Sequence, residues 1–141
     1  MLHLVHPALV HFTIAFLVAG AALEAWGVLA RRAGAARWGG ALSIAGAVAL
    51  VPTIAAGYLA ANTLTVAGEA GAALDRHESF GLMLLGACLV LALVRAWTRG
   101  RVEGGVRIAY GAGLLAALAL AACAAYFGGR LVYVFGVGVG R

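Results

Sequence analysis

The sequence has no lysine and little charge of either sign. Asp and Glu together number 5 among 141 residues, charged residues make up 11% of the chain, and cysteine and proline occur twice each. Soluble domains carry about 25% charged residues. By contrast, 65% of this chain is hydrophobic, which is more apolar surface than a small soluble core can bury. The composition therefore excludes an ordinary soluble domain and favours a single domain embedded in a lipid bilayer.

The basic side chains are all arginines, and most lie in two short segments between apolar runs. These are Arg31, Arg32, Arg37, Arg95, Arg99, Arg101 and Arg107. Arginines confined to such connections report membrane topology, so no nucleic-acid partner is expected. By the positive-inside rule both segments are cytoplasmic, which places the two termini on the periplasmic side of a bacterial inner membrane.

Four apolar runs are long enough to cross a bilayer as α-helices. They span residues 7–29, 39–61, 76–97 and 108–127. Pro7 suits the first position of a helix, and Asp75 with Glu78 three residues later has the pattern of a capping box that starts helix three at residue 76. Residues 128–141 form an apolar, glycine-rich tail that is too short to span. The predicted fold class is an all-α integral membrane bundle of four helices, in one domain over residues 1–141.

Helices one and three share a weak sequence similarity. His11 stands nine residues before Gly20-Ala21-Ala22-Leu23, and His77 stands nine residues before Gly86-Ala87-Cys88-Leu89. A parallel repeat of this kind would make the bundle two helical hairpins related by a pseudo-twofold axis along the membrane normal. In a chain so rich in alanine and glycine, the same match also arises by chance.

The histidines are the side chains best suited to chemistry, because the topology places all four on the outer side. His11 lies about one turn inside helix one and His77 lies in the first turn of helix three, so the two rings are expected to face each other. Ala15 and Gly81, one turn further in, leave the helix surface beside each ring nearly bare. This pattern predicts haem b held by His11 and His77, with the flat macrocycle near Gly81.

Other roles for the histidines remain open at this point. His3 and His6 are alternative ligands, proton carriers or part of a second metal site, and a cluster of histidines also suits Cu or Zn. No Cys-x-x-Cys-His motif occurs, so covalent haem attachment is not predicted. The alternative is that the rings are packing residues, hydrogen-bonded to backbone carbonyls or to Asp75 and Glu78.

Glu24, in the cytoplasmic half of helix one, is the other ionisable group predicted to lie inside the membrane. An acidic group inside a membrane is costly unless it is paired or functional. It could be a carboxylate on a proton path, but neutralisation by Arg31 or by an arginine of the third loop is the preferred interpretation.

Three motifs in order also carry a family resemblance. They are His6-Pro7-Ala8-Leu9-Val10-His11-Phe12-Thr13-Ile14-Ala15, Asp75-Arg76-His77-Glu78 and Gly129-Arg130-Leu131-Val132-Tyr133-Val134-Phe135-Gly136-Val137-Gly138-Val139. They resemble the HPxxVHFPIA opening, the later histidine segment and the GGxLVYxxGxGV ending of the bacterial membrane-protein family of unknown function numbered 2231. Thr13 departs from that family, which usually has proline there. The resemblance implies a four-helix membrane module, and relatives joined to Rieske-type or cytochrome c-like domains imply a redox setting for His6, His11 and His77.

Three functional hypotheses follow from these features. The first is a small electron-transfer subunit that holds haem b near the outer face and connects a quinol to a periplasmic redox protein. The second is a non-catalytic accessory subunit of a larger respiratory or photosynthetic complex. The third, a metal-ion or proton carrier, is disfavoured because nothing polar bridges the roughly 20 Å between the outer histidines and Glu24. None of the three requires a stand-alone enzyme, so whether the chain is an enzyme stays open.

Overall fold

A computed structural model of the chain describes residues 2–138, with side chains from Val5 onward. It contains four α-helices: α1 (Leu2–Leu29), α2 (Ala33–Ala61), α3 (Gly68–Trp97) and α4 (Gly104–Tyr133). All four are long and apolar enough to cross a membrane, and no strand occurs within residues 2–138. The predicted all-α membrane bundle of four helices is therefore confirmed.

The helices are longer than the predicted spans. α1 begins before Pro7, α2 begins at Ala33 rather than residue 39, and α4 continues past the predicted end at residue 127 to Tyr133. The apolar run measures only the part of a helix that lies in hydrocarbon. A helix of 30 residues is about 45 Å long and extends beyond a hydrocarbon core of about 30 Å.

The predicted capping box at the start of helix three is wrong. α3 begins at Gly68, its N-cap is Ala67 without a side-chain hydrogen bond, and Asp75 and Glu78 lie inside the helix. Residues 68–74 contain three alanines and a leucine, which are strong helix formers, and an acidic residue in the first turn also favours a helix. These preferences carry the helix two turns further back than the polar pattern indicated.

Consecutive helices run antiparallel, and α1 packs most extensively along α2, as α3 does along α4. Smaller contacts of α2 with α3 and of α1 with α4 close the bundle. We call α1–α2 the first hairpin and α3–α4 the second. The histidine end is where α1 and α3 begin, and the arginine end is the opposite end.

The two hairpins are structural repeats, in which each residue of the first is equivalent to the residue 71 positions later in the second. Glu24 contacts Arg95, 71 positions away, and His6 contacts His77, also 71 positions away. The starts of α2 and α4 obey the same offset. The sequence similarity had aligned His11 with His77, which differs from this register by five residues. The structure has the two helical hairpins that the repeat implied. It aligns His77 with His6, however, and not with His11.

The core lies at mid-depth, where all four helices meet. Its buried side chains are Leu17, Ala47, Leu50, Leu84, Cys88 and Ala117. Leu17 and Cys88 occupy equivalent positions in the two repeats, between the histidine pair and the Glu24–Arg95 pair. An apolar layer therefore separates the polar groups at one end of the bundle from those at the other.

Candidate functional site: a histidine pair between the hairpins

His6 lies in the first turns of α1 and is fixed against α2. Its Nδ1 atom is 2.8 Å from the backbone carbonyl oxygen of Thr53. The ring lies over Gly57, where a Cβ would come within 2.9 Å of the His6 Cε1 atom. A side chain at this position would push the ring aside, so glycine lets the ring lie close to α2 and reach the carbonyl one turn earlier.

His77 is held by α4 with the same geometry. Its Nδ1 atom is 2.8 Å from the carbonyl oxygen of Ala124, and a Cβ at Gly128 would come within 3.0 Å of its Cε1 atom. Histidine and carbonyl are 47 residues apart in both hairpins. The repeat has thus preserved a three-part unit: a histidine, the carbonyl that it binds and the glycine that it covers.

The two units bring the rings of His6 and His77 together. Their centroids are 5.9 Å apart and their planes are nearly perpendicular, at 86°. A carbonyl oxygen can only accept a hydrogen bond, so Nδ1 of each ring carries a proton. In the neutral imidazole the lone pair then lies on Nε2, which is the arrangement found in many metal-binding histidines.

The other histidines are placed differently. His11 is exposed on the side of α1 that faces away from the bundle, and its Nδ1 atom is 2.6 Å from the carbonyl oxygen of Pro7 in the same helix. The structure therefore brings His77 together with His6 and not with His11, which corrects the expected facing pair. The physical reason is the helical period: five residues after His6, the α1 surface has turned toward the outside. The side chain of His3 lies outside the described residues.

The carboxylates near the histidine end do not hold the rings. The partners of His6 and His77 are backbone carbonyls, whereas the side chain of Asp75 is exposed. Within the described part of the chain, no group of three or more His, Cys, Asp or Glu side chains has metal-binding geometry. The pair offers two imidazole nitrogens, and a haem iron can take two ligands of this kind from protein.

Aromatic side chains lie beside the second unit. Phe80 of α3 stacks on Phe127 of α4 with centroids 5.7 Å apart, and the guanidinium of Arg76 lies 5.5 Å from the Phe127 ring. Gly81, one turn inside His77, is half-buried, and a Cβ there would meet no atom within 4 Å. The open helix surface predicted at Gly81 is therefore present.

A second polar cluster surrounds Glu24 near the arginine end. Arg95 of α3 forms a salt bridge with the carboxylate, and the side chains of both residues are largely buried. Tyr110 of α4 donates to the two carboxylate oxygens at 3.4 and 3.2 Å, and Ser43 of α2 donates to one of them at 3.3 Å. Glu24 is therefore paired with an arginine from the end of α3, not with Arg31.

Sequence reasoning missed several residues of these two clusters. Gly57 and Gly128 lie beneath the histidine rings, and Tyr110 and Ser43 donate to the Glu24 carboxylate. One signal was present: His6 and Gly57 are separated by the same number of residues as His77 and Gly128. That signal becomes visible only when the repeat is aligned through His6.

Comparison with known proteins identifies a family but no characterised relative. No curated protein and no solved structure matches the chain. One family model, described as "Predicted membrane protein (DUF2231)", matches residues 2–141. That match spans both hairpins, both members of the histidine pair and the glycine-rich ending. The chain therefore belongs to the membrane-protein family of unknown function numbered 2231.

Proposed function

We propose that the chain is a small electron-transfer subunit of the bacterial inner membrane that holds haem b through His6 and His77. The observation that carries the proposal is the pair of imidazoles, one from each hairpin, with both Nδ1 atoms bound to carbonyls. Both Nε2 lone pairs are left for a metal ion. The ligands differ from those proposed on sequence grounds, because His6 takes the place of His11.

The spacing of the pair supports a shared metal ion. Two imidazoles that bind one ion through metal–nitrogen bonds of about 2 Å have ring centres about 6 Å apart. The observed separation is 5.9 Å. The open surface at Gly81 adds room for a flat ligand beside His77. Bound haem would supply a one-electron couple. The chain would hold the haem and determine the polarity of its surroundings and its access to water.

The proposed topology indicates the side of the membrane on which the histidine pair would exchange electrons. Seven arginines at the arginine end favour the cytoplasmic side for that end, so the histidine pair would lie near the periplasmic face. A quinol in the membrane is the proposed donor, and a periplasmic redox protein is the proposed acceptor. The apolar layer at Leu17 and Cys88 would keep the histidine pair apart from Glu24, so the proposal assigns no proton path to that carboxylate.

The first test is a reduced-minus-oxidised visible spectrum of the detergent-purified protein, expressed with added haem precursor. Sharp reduced α and Soret bands are expected, with about one haem per chain in a pyridine haemochrome assay. His6→Ala and His77→Ala should each remove the bands. His11→Ala is the matched control and should keep them. Loss of haem in the His11 variant with retention in the His6 variant would overturn the ligand assignment.

A second candidate function is an accessory subunit of a larger membrane complex. It is favoured by a groove on the outer face of α1, whose lining consists of Val10, His11, Ile14, Ala15, Val18, Ala19 and Ala22. Small residues on a lipid-facing helix allow another helix to approach closely, and His11 could donate or accept a hydrogen bond there. A haem-free wild-type spectrum, together with a smaller complex in mild detergent after Ala19→Leu, would favour this function.

A further inference from the structure

Glu24 and Arg95 occupy the same position in the two repeats, and they touch each other. In a pseudo-twofold assembly, a residue contacts its own equivalent only on the axis. The salt bridge between them, and the 71-residue separation, therefore place both side chains on the axis that relates the hairpins. At this axial position the repeats carry opposite charges.

Opposite charges on the axis have a consequence for which hairpins can pair. Two copies of the first hairpin, arranged in the same way, would bring Glu24 against Glu24. Two copies of the second would bring Arg95 against Arg95. Both arrangements bury like charges in a low-dielectric interior, whereas one hairpin of each kind forms an ion pair.

We propose that Glu24 and Arg95 are a recognition pair through which each hairpin selects a hairpin of the other kind. The interaction surface is the axial face of α1 or α3 near the arginine end. The partner that it fits is the other hairpin of the same chain, which carries the opposite charge at the equivalent position. This inference is independent of haem binding.

The surroundings of the pair extend this recognition across the interface. Arg95 donates through Nη2 to the carbonyl oxygen of Ala36 at 2.9 Å, and its guanidinium covers Gly40, both in α2. A Cβ at Gly40 would overlap the guanidinium. Tyr110 of the second hairpin reaches the Glu24 carboxylate in the other direction. The first hairpin thus contributes Glu24 and the α2 carbonyl that binds Arg95, and the second contributes Arg95 and the Tyr110 hydroxyl that binds Glu24.

The equivalent place in the second hairpin is vacant. Gly111 corresponds to Gly40 in the 71-residue register, and a Cβ at Gly111 would meet no atom within 4 Å. An arginine at position 24 would therefore find a bare helix surface on α4, as Arg95 does on α2. The charges can in principle be exchanged between the repeats without a clash at this glycine.

The test uses full-length chains in which the charges are made alike. Glu24→Arg gives two arginines on the axis, and Arg95→Glu gives two glutamates, so each variant alone should yield at least fivefold less monodisperse monomer than wild type. The double exchange Glu24→Arg/Arg95→Glu restores opposite charges within one chain. It should recover at least half of the wild-type yield.

Co-expression of the two single variants with different affinity tags gives the decisive result. In a dimer with exchanged hairpins, both axial contacts would again join an arginine to a glutamate. The two variants should therefore co-purify at least tenfold more than two differently tagged wild-type chains. Co-purification at the wild-type level, together with no recovery in the double exchange, would overturn the proposal.

A neutral variant separates charge recognition from loss of packing. Glu24→Gln keeps a side-chain oxygen for Tyr110 and does not repel Arg95, so it should remain a monomer when expressed alone. Its exchanged dimer with Arg95→Glu contains one axial ion pair instead of two, so it should co-purify with that variant less than Glu24→Arg does. Arg99→Glu, an exposed charge reversal just beyond α3, is the matched control and should leave yield and monomeric state unchanged. Co-purification of the Gln variant at the level of the Arg variant would contradict recognition by charge.

Discussion

In the first hairpin the two helix backbones come into close contact at glycines, whereas the second hairpin has larger side chains at the equivalent positions. A Cβ at Gly20 would lie 2.7 Å from the backbone nitrogen of Ser43. The equivalent residue in the second hairpin is Leu91, and the equivalent of Gly39 is Tyr110. The first hairpin therefore packs backbone against backbone, and the second packs through side chains.

The hairpins also differ in polarity below their histidines. In the first, the hydroxyl groups of Thr13 and Thr53 are 2.9 Å apart. The Thr13 hydroxyl also donates to the carbonyl oxygen of Leu9 at 3.1 Å, and the Thr53 hydroxyl to that of Ala49 at 2.7 Å. The equivalent residues in the second are Leu84 and Ala124. Yet both hairpins hold a histidine on a carbonyl and a glycine in the same way. The histidine, carbonyl and glycine are therefore the same in the two hairpins, whereas the residues that pack the helices together differ.

The largest expected change in stability comes from replacing Gly20 of the first hairpin with leucine, the residue at the equivalent position 91 of the second. Gly20→Leu would place a side chain against the Ser43 backbone, which cannot yield as a flexible side chain can. We expect a loss of about 3 kcal/mol in the free energy of unfolding, measured by thermal unfolding in detergent. Gly86→Leu is the control, because that glycine is exposed and a Cβ there meets nothing within 4 Å. Equal effects in the two variants would contradict close backbone packing in the first hairpin.

A smaller and symmetrical effect is expected at the glycines beneath the histidines. Gly57→Ala and Gly128→Ala would each push a ring away from its carbonyl, at a cost of about 1 kcal/mol for the weakened hydrogen bond. Thermal unfolding should show similar losses in both variants, and the haem bands should decrease in both. Gly129→Ala, where the nearest atom is at an ordinary distance of 3.9 Å, should change neither. A loss in one hairpin alone would mean that the two histidine units are not equivalent.

The smallest effect is expected for the hydroxyl pair that only the first hairpin has. Thr13→Val preserves the shape of the side chain and removes its hydrogen bond to Thr53. Polar contacts between membrane helices contribute about 0.6 kcal/mol on average, so a decrease of that size is expected in detergent unfolding. Thr63→Val, in the exposed connection after α2, is the control and should have little effect. A loss above about 2 kcal/mol would contradict the small contribution expected of this hydrogen bond.

Several residues of the candidate site were identified from the sequence, but the pairing of His6 with His77 was not predicted. His6, His77 and Gly81 were identified as candidates, and pairing of Glu24 with an arginine was preferred over a proton path. The choice of His11 as the partner of His77 failed because depth along a helix was used without its rotation. Two residues at similar depth meet only if both point toward the same axis, and a rotation of about 100° per residue decides that.

The sequence by itself determined that the chain has four membrane-spanning helices, because the bilayer requires about 20 apolar residues per span and a helix to satisfy the backbone. Composition and run length carry that information locally. Only the tertiary structure decided which faces meet. In an interior where nearly every side chain is apolar, close packing selects the rotation and register of each helix, and so it brings His6 to His77 and Glu24 to Arg95.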